Sequence, residues 1–296
     1  MKLHKFPKKI YKKTKKQLAK GDVLVKTLKI LVKTFKAAVA IFGKRNAARI
    51  SSNFVEQLAP TLSVKTKSGP IRFYCPGEMP FHRADTLLTK EPDTIEWIDS
   101  FRESSVFWDI GANIGVYSLY AALKPDMEVL AFEPSAFNYH VLNRNIEINR
   151  MDDKILSFCV AFNDTTLIDH LYMVDTHVGG ALSSFAESIN WQGEKFFAKY
   201  KQGMIGFSID DLIEQFLPSF PNYIKIDVDG IEGKIINGAK KTISDNRLRS
   251  LLVELDATRE EYCQNIIDLI EGGGMKLMAR KHVTKKRIRN YIFVRQ

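Results

Sequence analysis

A short stretch near the middle of the chain places an acidic residue beside two glycines. Asp109, Gly111 and Gly115 follow the apolar run 106–108 and precede a second apolar run, 116–123. A buried strand, a tight glycine turn and a helix form the first unit of a doubly wound sheet, in which ligands lie at the carboxyl ends of strands. Glycine permits a positive φ and lets a ligand or a neighbouring helix approach the backbone closely. The pattern therefore predicts a small-molecule site at this turn.

The acidic residues indicate which class of ligand the turn would accept. A dinucleotide turn has the spacing G-x-G-x-x-G and binds a pyrophosphate at the helix N-terminus. Here the two glycines are four residues apart, and Asp109 would repel a pyrophosphate but could hold a cationic amino group. Glu133 ends the next predicted strand, 22 residues after Gly111, and a carboxylate there suits two ribose hydroxyls. The set favours an adenosine ligand with an amino-acid end, such as S-adenosylmethionine. A Rossmann-like unit without an adenosine ligand is the alternative.

Several further blocks agree with one known family in order and approximate spacing. They are Lys90–Thr94, Trp108–Gly115, Phe132–Ser135, Ile209–Leu212, Tyr223–Glu232 and Gly238–Ala239. On these blocks the chain resembles the FkbM family of S-adenosylmethionine-dependent methyltransferases, from about Arg83 to the C-terminus. One departure is Asp229, where the family more often has Glu; the acid itself is kept.

The resemblance implies a fold, a reaction and a set of cofactor residues. The fold is α/β: a doubly wound, mostly parallel seven-stranded sheet of the Rossmann-like class I methyltransferase type. A closing antiparallel hairpin, 275–279 with 291–294, and an N-terminal basic amphipathic helix complete it. The reaction is methylation of a hydroxyl on a sugar, a glycan or another small molecule. The residues expected to bind the cofactor are Asp109, Gly111, Ala112, Asn113, Gly115, Glu133, Asn163 and Glu91. For Glu91, the plainer alternative is an acid at the start of a helix.

Methyl transfer to a hydroxyl also requires a group that takes the hydroxyl proton. Asp227 ends the fourth predicted strand beside the crevice and is the best-placed base, with Glu232 in the same block and His177 as a second candidate base. A divalent ion held by Asp227 with Glu254 or Asp256 would acidify a sugar hydroxyl. The alternative for Asp227 is that it only orients the cofactor or caps the next helix.

The basic character of the chain is confined to its N-terminal part. The net charge is +10, yet residues 1–45 alone carry fifteen Lys or Arg and a single acid, whereas the remainder has 29 basic and 33 acidic side chains. Residues 22–43 place four lysines on one side of a helix and apolar residues on the other. The lysines exclude a comfortable membrane span, and a signal peptide fits poorly. This helix either lies on an anionic membrane surface or packs on protein.

These patterns divide the chain into a basic tail (1–45), a lead-in (46–102) and a methyltransferase domain (103–296). Within that domain, residues 164–207 form a long aromatic-rich insertion, interpreted as a flexible cap over the acceptor. The three scattered cysteines indicate reduced thiols, so we expect a cytoplasmic protein, with the tail bringing it to the inner membrane face.

Two other functions compete with this hypothesis. A nucleic-acid methyltransferase could be steered by the basic tail. However, the Pro-Pro-aromatic block of many amino-group methylases does not follow Asp227, and the rest of the chain is net negative. A membrane-docked binding protein without catalysis is the second alternative, and the intact glycine turn and acids argue against it.

Overall fold

The computed structural model describes residues 26–278 and 287–296, and the chain divides into two compact units, Met1–Ala59 and Pro60–Gln296. The lysine-rich residues 1–20, the first residues of the expected tail helix and most of the basic connection before the last strand lie outside the described residues. Within the described part, no helix combines the length and apolar character needed to cross a bilayer.

The N-terminal unit contains two helices, α1 (26–40) and α2 (Lys44–Leu58), joined at Gly43. The rings of Phe35 and Phe54 stack with centroids 4.6 Å apart, and Val39 is buried. The basic helix of the tail is therefore present, but the second helix was not predicted, because the pattern after Ser51 is irregular. The expected boundary between residues 45 and 46 falls within α2.

The second unit begins with a hairpin and two short helices. In chain order the elements are β1 (Thr61–Thr66), β2 (Gly69–Tyr74), α3 (Glu78–Asp85) and α4 (Pro92–Asp99). The hairpin is antiparallel, as the sequence predicts, and buries Ile71 and Phe73. Glu91 immediately precedes α4, whose first residue is a proline.

A seven-stranded sheet forms the centre of the second unit in the described residues. Its strands are β3 (Val106–Ile110), β4 (Glu128–Phe132), β5 (Ile155–Phe158), β10 (Tyr223–Ile226), β11 (Ser250–Asp256), β12 (Met275–Leu277) and β13 (Ile288–Arg295). Their spatial order is β12-β13-β11-β10-β3-β4-β5. Strand β13 runs opposite to the other six and is therefore antiparallel to both of its neighbours, β11 and β12. This confirms the doubly wound fold of the class I methyltransferases, including the closing hairpin.

Helices cover both faces of the main sheet. They are α5 (Val116–Ala122), α6 (Ala136–Asn149), α7 (Ile209–Phe216), α8 (Glu232–Asn237), α9 (Lys240–Ser244) and α10 (Glu260–Gly272). Trp108 and Phe107 are fully buried on opposite faces, each in a separate apolar cluster, as expected for strands covered on both sides. The helix expected to run unbroken to Ile243 is divided at Gly238. The backbone there approaches Asn163 so closely that a Cβ on Gly238 would lie 2.4 Å from the carbonyl oxygen of Asn163.

The insertion and the short strand before it form a second sheet. Its strands are β6 (Ala161–Phe162), β7 (Leu167–Met173), β8 (Ser183–Phe185) and β9 (Tyr200–Phe207), in the order β6-β9-β7-β8. The buried ring of Phe185 packs where a side chain on Gly206 would otherwise lie. Much of the insertion is therefore hydrogen-bonded β-structure, which the sequence analysis did not predict, and its role as a cap over the acceptor stays a prediction. Residues 174–182, between β7 and β8, have no regular secondary structure.

Candidate functional site

The glycine turn between β3 and α5 lies at the carboxyl edge of the main sheet and lines a cleft. The N–H groups of Gly111 and Ala112 donate to the carbonyl oxygen of Phe132, at 2.9 and 3.0 Å, which fixes the turn against the end of β4. Gly111 has a φ of 83°, and a Cβ there would lie 2.0 Å from the carbonyl oxygen of Asp227. Glycine is therefore required for the turn and the end of β10 to approach so closely.

Asn113 and Gly115 complete the turn in different ways. Asn113 has a φ of 53°, and its Oδ1 accepts the N–H of Ile114 at 3.0 Å. Gly115 has a φ of 85°, and a Cβ there would lie 2.4 Å from Cδ1 of Leu142 on α6. Gly115 therefore serves helix packing, whereas Gly111 and Asn113 line the cleft.

The cleft contains about 700 Å³ of empty space, open solvent at its mouth included. Its apolar lining is formed mainly by Phe132, Val160, Phe162 and Ile231. Its polar lining includes Asn113, Glu133 and Asn138. An apolar wall facing hydrogen-bonding groups suits an adenosine moiety, with the base on one side and the ribose on the other.

Glu133 follows β4 and is 4% exposed. Its Oε2 accepts the N–H of Asn113 at 2.8 Å, and its Oε1 accepts the N–H of Ser135 at 2.9 Å and the amide of Asn138 at 3.4 Å. Burial raises the pKa of Glu133 to about 7, although these hydrogen bonds oppose the shift. Each carboxylate oxygen has two lone pairs. One position on Oε2 therefore remains available for a ribose hydroxyl among the described contacts.

Asp109 lies beneath the turn and is 1% exposed. Its Oδ2 accepts the hydroxyl of Ser118 at 2.6 Å, and its Oδ1 has no hydrogen-bond partner in the described part of the chain. Burial raises the pKa of Asp109, and the charge of Lys225 opposes that shift. Asp109 is not among the described residues that line the cleft, so its contact with a bound amino group stays a prediction.

Three carboxylates from separate elements converge beside the turn. Glu91 precedes α4, Asp227 follows β10 and Glu254 lies within β11; one oxygen of each lies within 4.8 Å of the other two. We refer to these three residues as the carboxylate cluster. Asp256, the alternative to Glu254 in the sequence analysis, instead pairs with Arg287 at 3.1 Å.

The pKa values of two members of the carboxylate cluster shift in opposite directions. Burial raises the pKa of Glu254 well above its ordinary value, and the charge of Asp227 adds to the shift. Burial would also raise the pKa of Asp227, but Lys225, whose Nζ lies 2.5 Å from its Oδ2, holds it below the ordinary value. Asp227 is therefore the ionised partner and Glu254 the protonated one.

Residues 179–183, the crossing segment, extend over the cleft. The carbonyl oxygen of Gly180 accepts the side-chain amides of Asn113 and Asn138, at 2.8 and 3.2 Å. At the other end, Asp229 accepts two backbone N–H groups of the segment, at 2.5 and 3.2 Å. Burial and the charge of Asp227 raise the pKa of Asp229 to about 6. The segment thus links the end of β4 to the loop after β10.

Two of the three predicted catalytic residues lie apart from the carboxylate cluster. Glu232 is 4% exposed; it accepts the N–H of Gly230 at 2.9 Å and the hydroxyl of Tyr262 at 3.2 Å, so it anchors the start of α8. Burial raises its pKa to about 7. The side chain of His177 is 84% exposed, and its Nδ1 lies 3.2 Å from Asp175. No described contact joins either residue to the carboxylate cluster.

Asn163, expected beside the adenine, is buried just after β6. Its Oδ1 accepts the N–H of Asp164 at 2.8 Å, and its own N–H donates to Phe207 at 2.9 Å. The residues before it, Val160 to Phe162, line the cleft instead. The expected contact of Asn163 or its neighbours with the adenine stays a prediction; at this point the neighbours line the cleft.

The sequence analysis did not single out Lys225 and Asn138. Lys225 is 1% exposed within the fully buried strand β10, where a lysine in an otherwise apolar run is the available signal. Asn138 binds Glu133 and both glycines of the crossing segment, which are distant in sequence. No local pattern predicts those contacts.

Comparisons with known proteins agree with this geometry. The family model described as a methyltransferase FkbM domain matches residues 109–277. Methyltransferase sdnD of Sordaria araneosa is 25% identical over 151 residues, covering 44% of this chain and 58% of that protein. Methyltransferase 1 of Beauveria bassiana is 27% identical over 151 residues, covering 47% and 59% respectively. The chain thus spans less than two thirds of the length of these relatives.

Among solved structures, the methyltransferase FkbM of Methylobacillus flagellatus is 18% identical, with a TM-score of 0.46 over 66% of this chain and 45% of that chain. A precorrin-6y C5,15-methyltransferase of Geobacter metallireducens is 13% identical, with a TM-score of 0.41 over 71% and 91%. The family model covers more than half of the present chain and includes the glycine turn, Glu133 and the Asp227 block. The chain belongs to the FkbM methyltransferase family.

Proposed function

We propose that this chain is an S-adenosylmethionine-dependent methyltransferase that methylates a hydroxyl of a sugar, a glycan or another small molecule. The observation that carries the proposal is the contact between two parts of the site. The turn expected to bind the cofactor touches the backbone of Asp227, the candidate base, with no room for a Cβ between them. A cofactor on this turn and an acceptor beside Asp227 would therefore be neighbours.

The residues of the cleft fit the proposed cofactor. The free lone pair of Glu133 can accept a ribose hydroxyl, and the apolar wall around Phe132 and Phe162 can cover the adenine. The turn at Gly111 lies toward Asp227, so it would hold the methionine end. When bound, S-adenosylmethionine supplies a methyl carbon on a positively charged sulfur, and the sulfur keeps the electron pair as the acceptor oxygen bonds to that carbon.

Asp227 would take the proton of the acceptor hydroxyl. The proton leaves the acceptor oxygen as the new carbon–oxygen bond forms, and it passes to the carboxylate of Asp227. Lys225 keeps Asp227 ionised, so the carboxylate is ready to accept. Its low pKa is adequate, because the oxygen becomes strongly acidic once it has bonded to the methyl carbon.

The charge of the site favours a neutral acceptor over a nucleic acid. The carboxylate cluster brings three acidic side chains together. Next to them lies one exposed cation, Lys90, whose Nζ is 2.7 Å from Oε1 of Glu91. A phosphate backbone would approach carboxylates here, whereas nucleic-acid sites are lined by Lys and Arg. This is the specific reason for preferring a sugar or other neutral hydroxyl.

The proposal is tested with S-adenosylmethionine that carries tritium in its methyl group. Transfer of the labelled methyl group is measured to a panel of neutral glycosides, phosphorylated glycosides and short RNA. We expect label in a neutral glycoside. The Asp227→Asn variant should lose about 100-fold or more in rate, the range of a general base, and keep its affinity for the cofactor. Label in RNA, or an unchanged rate in Asp227→Asn, would contradict the proposal.

We further propose that the N-terminal unit attaches the enzyme to an anionic membrane surface. Residues 26–59 carry seven basic side chains and one acid. On α1, Leu28, Ile30, Leu31 and Val32 are 44–66% exposed, and on α2 Phe54, Val55 and Leu58 are 46–65% exposed. Each basic residue near such a surface contributes about 1 kcal/mol, and the apolar residues add burial in the lipid boundary.

Co-sedimentation with vesicles tests the attachment in the full chain. We expect preferential pelleting with phosphatidylserine vesicles over phosphatidylcholine vesicles. Release at 1 M salt is also expected, because the Debye length falls to about 3 Å. A variant with Lys26, Lys29, Lys33 and Lys36 all changed to Gln should pellet less. Equal pelleting of both proteins with both lipids would favour packing on protein instead.

A further inference from the structure

Lys225 occupies a position that is unusual for a lysine. It lies in the middle of β10, in register with Asp109 on β3 and Leu252 on β11, and only 1% of its surface is exposed. A buried ammonium is strongly unfavourable unless charged partners compensate it. The nearest partner is Asp227, whose Oδ2 lies 2.5 Å from Nζ. The ring of Tyr117 on α5 also faces it, with its centroid 5.0 Å from Nζ.

The alternation of side chains along the strands explains how the charges meet. Residues two apart on a strand point to the same face of the sheet. Asp227 and Lys225 therefore share the face covered by α4 and α5, and Glu254 shares it with the buried Leu252 on the neighbouring strand. Glu91, at the start of α4, reaches the same point from above the sheet. The ammonium thus lies within the field of the whole carboxylate cluster.

Three carboxylate oxygens within 4.8 Å of one another are the kind of group that binds a divalent cation. Here the chain supplies its own cation, because Nζ of Lys225 lies 2.5 Å from Oδ2 of Asp227, one of the three carboxylates. We propose that Lys225 is the resident cation of the carboxylate cluster. It is a positioning residue that fixes Asp227 beside the glycine turn, and its ammonium holds the Asp227 oxygen for which a divalent ion would otherwise compete.

The inference rests on the proposed function in one respect, namely that Asp227 is the base. Its test is therefore a binding measurement and does not depend on methyl transfer. We would titrate the full-length protein with Mn²⁺ and follow free Mn²⁺ by electron paramagnetic resonance. The proteins compared are the wild type, Lys225→Met, and the double variant Lys225→Met/Glu254→Gln. Methionine keeps most of the unbranched apolar stem of lysine and lacks the ammonium group.

Lys225→Met should bind one Mn²⁺ per chain at least about tenfold more tightly than the wild type, because the repulsive charge is gone. The added Glu254→Gln change should weaken that binding again, since it removes one ligand. A merely structural lysine would create no metal site when replaced. If the wild type binds Mn²⁺ as tightly as Lys225→Met, or if the folded variant binds none, the proposal is wrong.

Folding of the variants provides a second readout. Circular dichroism and thermal unfolding would be recorded for each protein before titration. If Lys225→Met fails to fold, the double variant Lys225→Met/Asp227→Asn should still fold, because it removes one charge of each sign from the site. Failure of both variants would mean that Lys225 serves packing, and the proposal would be overturned.

Discussion

The prediction that probes the site most sharply replaces Gly111 by alanine. Two separate effects follow from its position. An alanine at a φ of 83° is strained by about 1–2 kcal/mol, as for any non-glycine residue in the left-handed region. In addition, its Cβ would lie 2.0 Å from the carbonyl oxygen of Asp227, whereas real Cβ contacts are essentially never shorter than 3.0 Å. The turn and the end of β10 must therefore separate by about 1 Å.

Gly274 offers a matched control for the backbone strain alone. Its φ is 85°, and a Cβ there would lie 3.1 Å from the guanidinium of Arg295, the end of a long side chain that can move. Gly274→Ala should lower the melting temperature by about 2–8 °C, the shift expected for 1–2 kcal/mol in a domain of this size. Its affinity for S-adenosylmethionine should equal that of the wild type.

Gly111→Ala should lower the melting temperature at least as much as Gly274→Ala does. It should also weaken cofactor binding by at least about tenfold, or 1.4 kcal/mol. Methyl transfer should fall further, because an error of about 1 Å in positioning can reduce a rate by 100-fold. Calorimetric titration with S-adenosylmethionine and thermal unfolding measure the two effects separately. Wild-type affinity in Gly111→Ala, with stability equal to that of Gly274→Ala, would refute the reasoning.

Three further outcomes are expected. Because the folded-state pKa of Glu133 is raised to about 7, this residue takes up a proton as the pH falls through 7. Cofactor affinity should therefore be up to about tenfold lower at pH 6 than at pH 8, a difference that Glu133→Gln should abolish in calorimetry. His177→Ala should change the rate of methyl transfer by less than about threefold, because the ring is 84% exposed and remote from the cluster; a 100-fold loss would make it catalytic. Asp229→Ala leaves two N–H groups of the crossing segment without their acceptor, so hydrogen exchange at Leu182 and Ser183 should accelerate about tenfold or more, whereas Asp229→Asn, which keeps an acceptor, should change little.

The sequence predicted those parts of the site that depend on neighbouring residues. The apolar run, the two glycines and the following helix specify the turn locally, and the structure places Gly111 and Glu133 at the cleft as expected. The mostly parallel seven-stranded sheet with its closing antiparallel hairpin was predicted and is confirmed by the sheet topology. Local signals of this kind survive because each element forms for reasons contained within it.

The remaining features depend on contacts between distant residues. Glu91 and Asp227 meet only because α4 begins above the end of β10, so an acid that resembles an ordinary helix start becomes part of the carboxylate cluster. Lys225 looks like an interruption in an apolar strand until Asp109 and Asp227 are seen around it. The sheet of the insertion was missed because β7 pairs with β9 across the intervening residues 174–199, whose sequence shows no regular pattern. Composition alone carries no information about such pairings.

Equilibrium binding of the cofactor tests the central claim most directly. Calorimetric titration of the full-length protein with S-adenosylmethionine, with S-adenosylhomocysteine and with NAD compares the two classes of adenosine ligand on the same site. The account predicts one site per chain with affinity on the order of micromolar for both sulfur compounds, weakened at least about tenfold in Gly111→Ala, and no binding of NAD. Binding of NAD without binding of the sulfonium compound would contradict it.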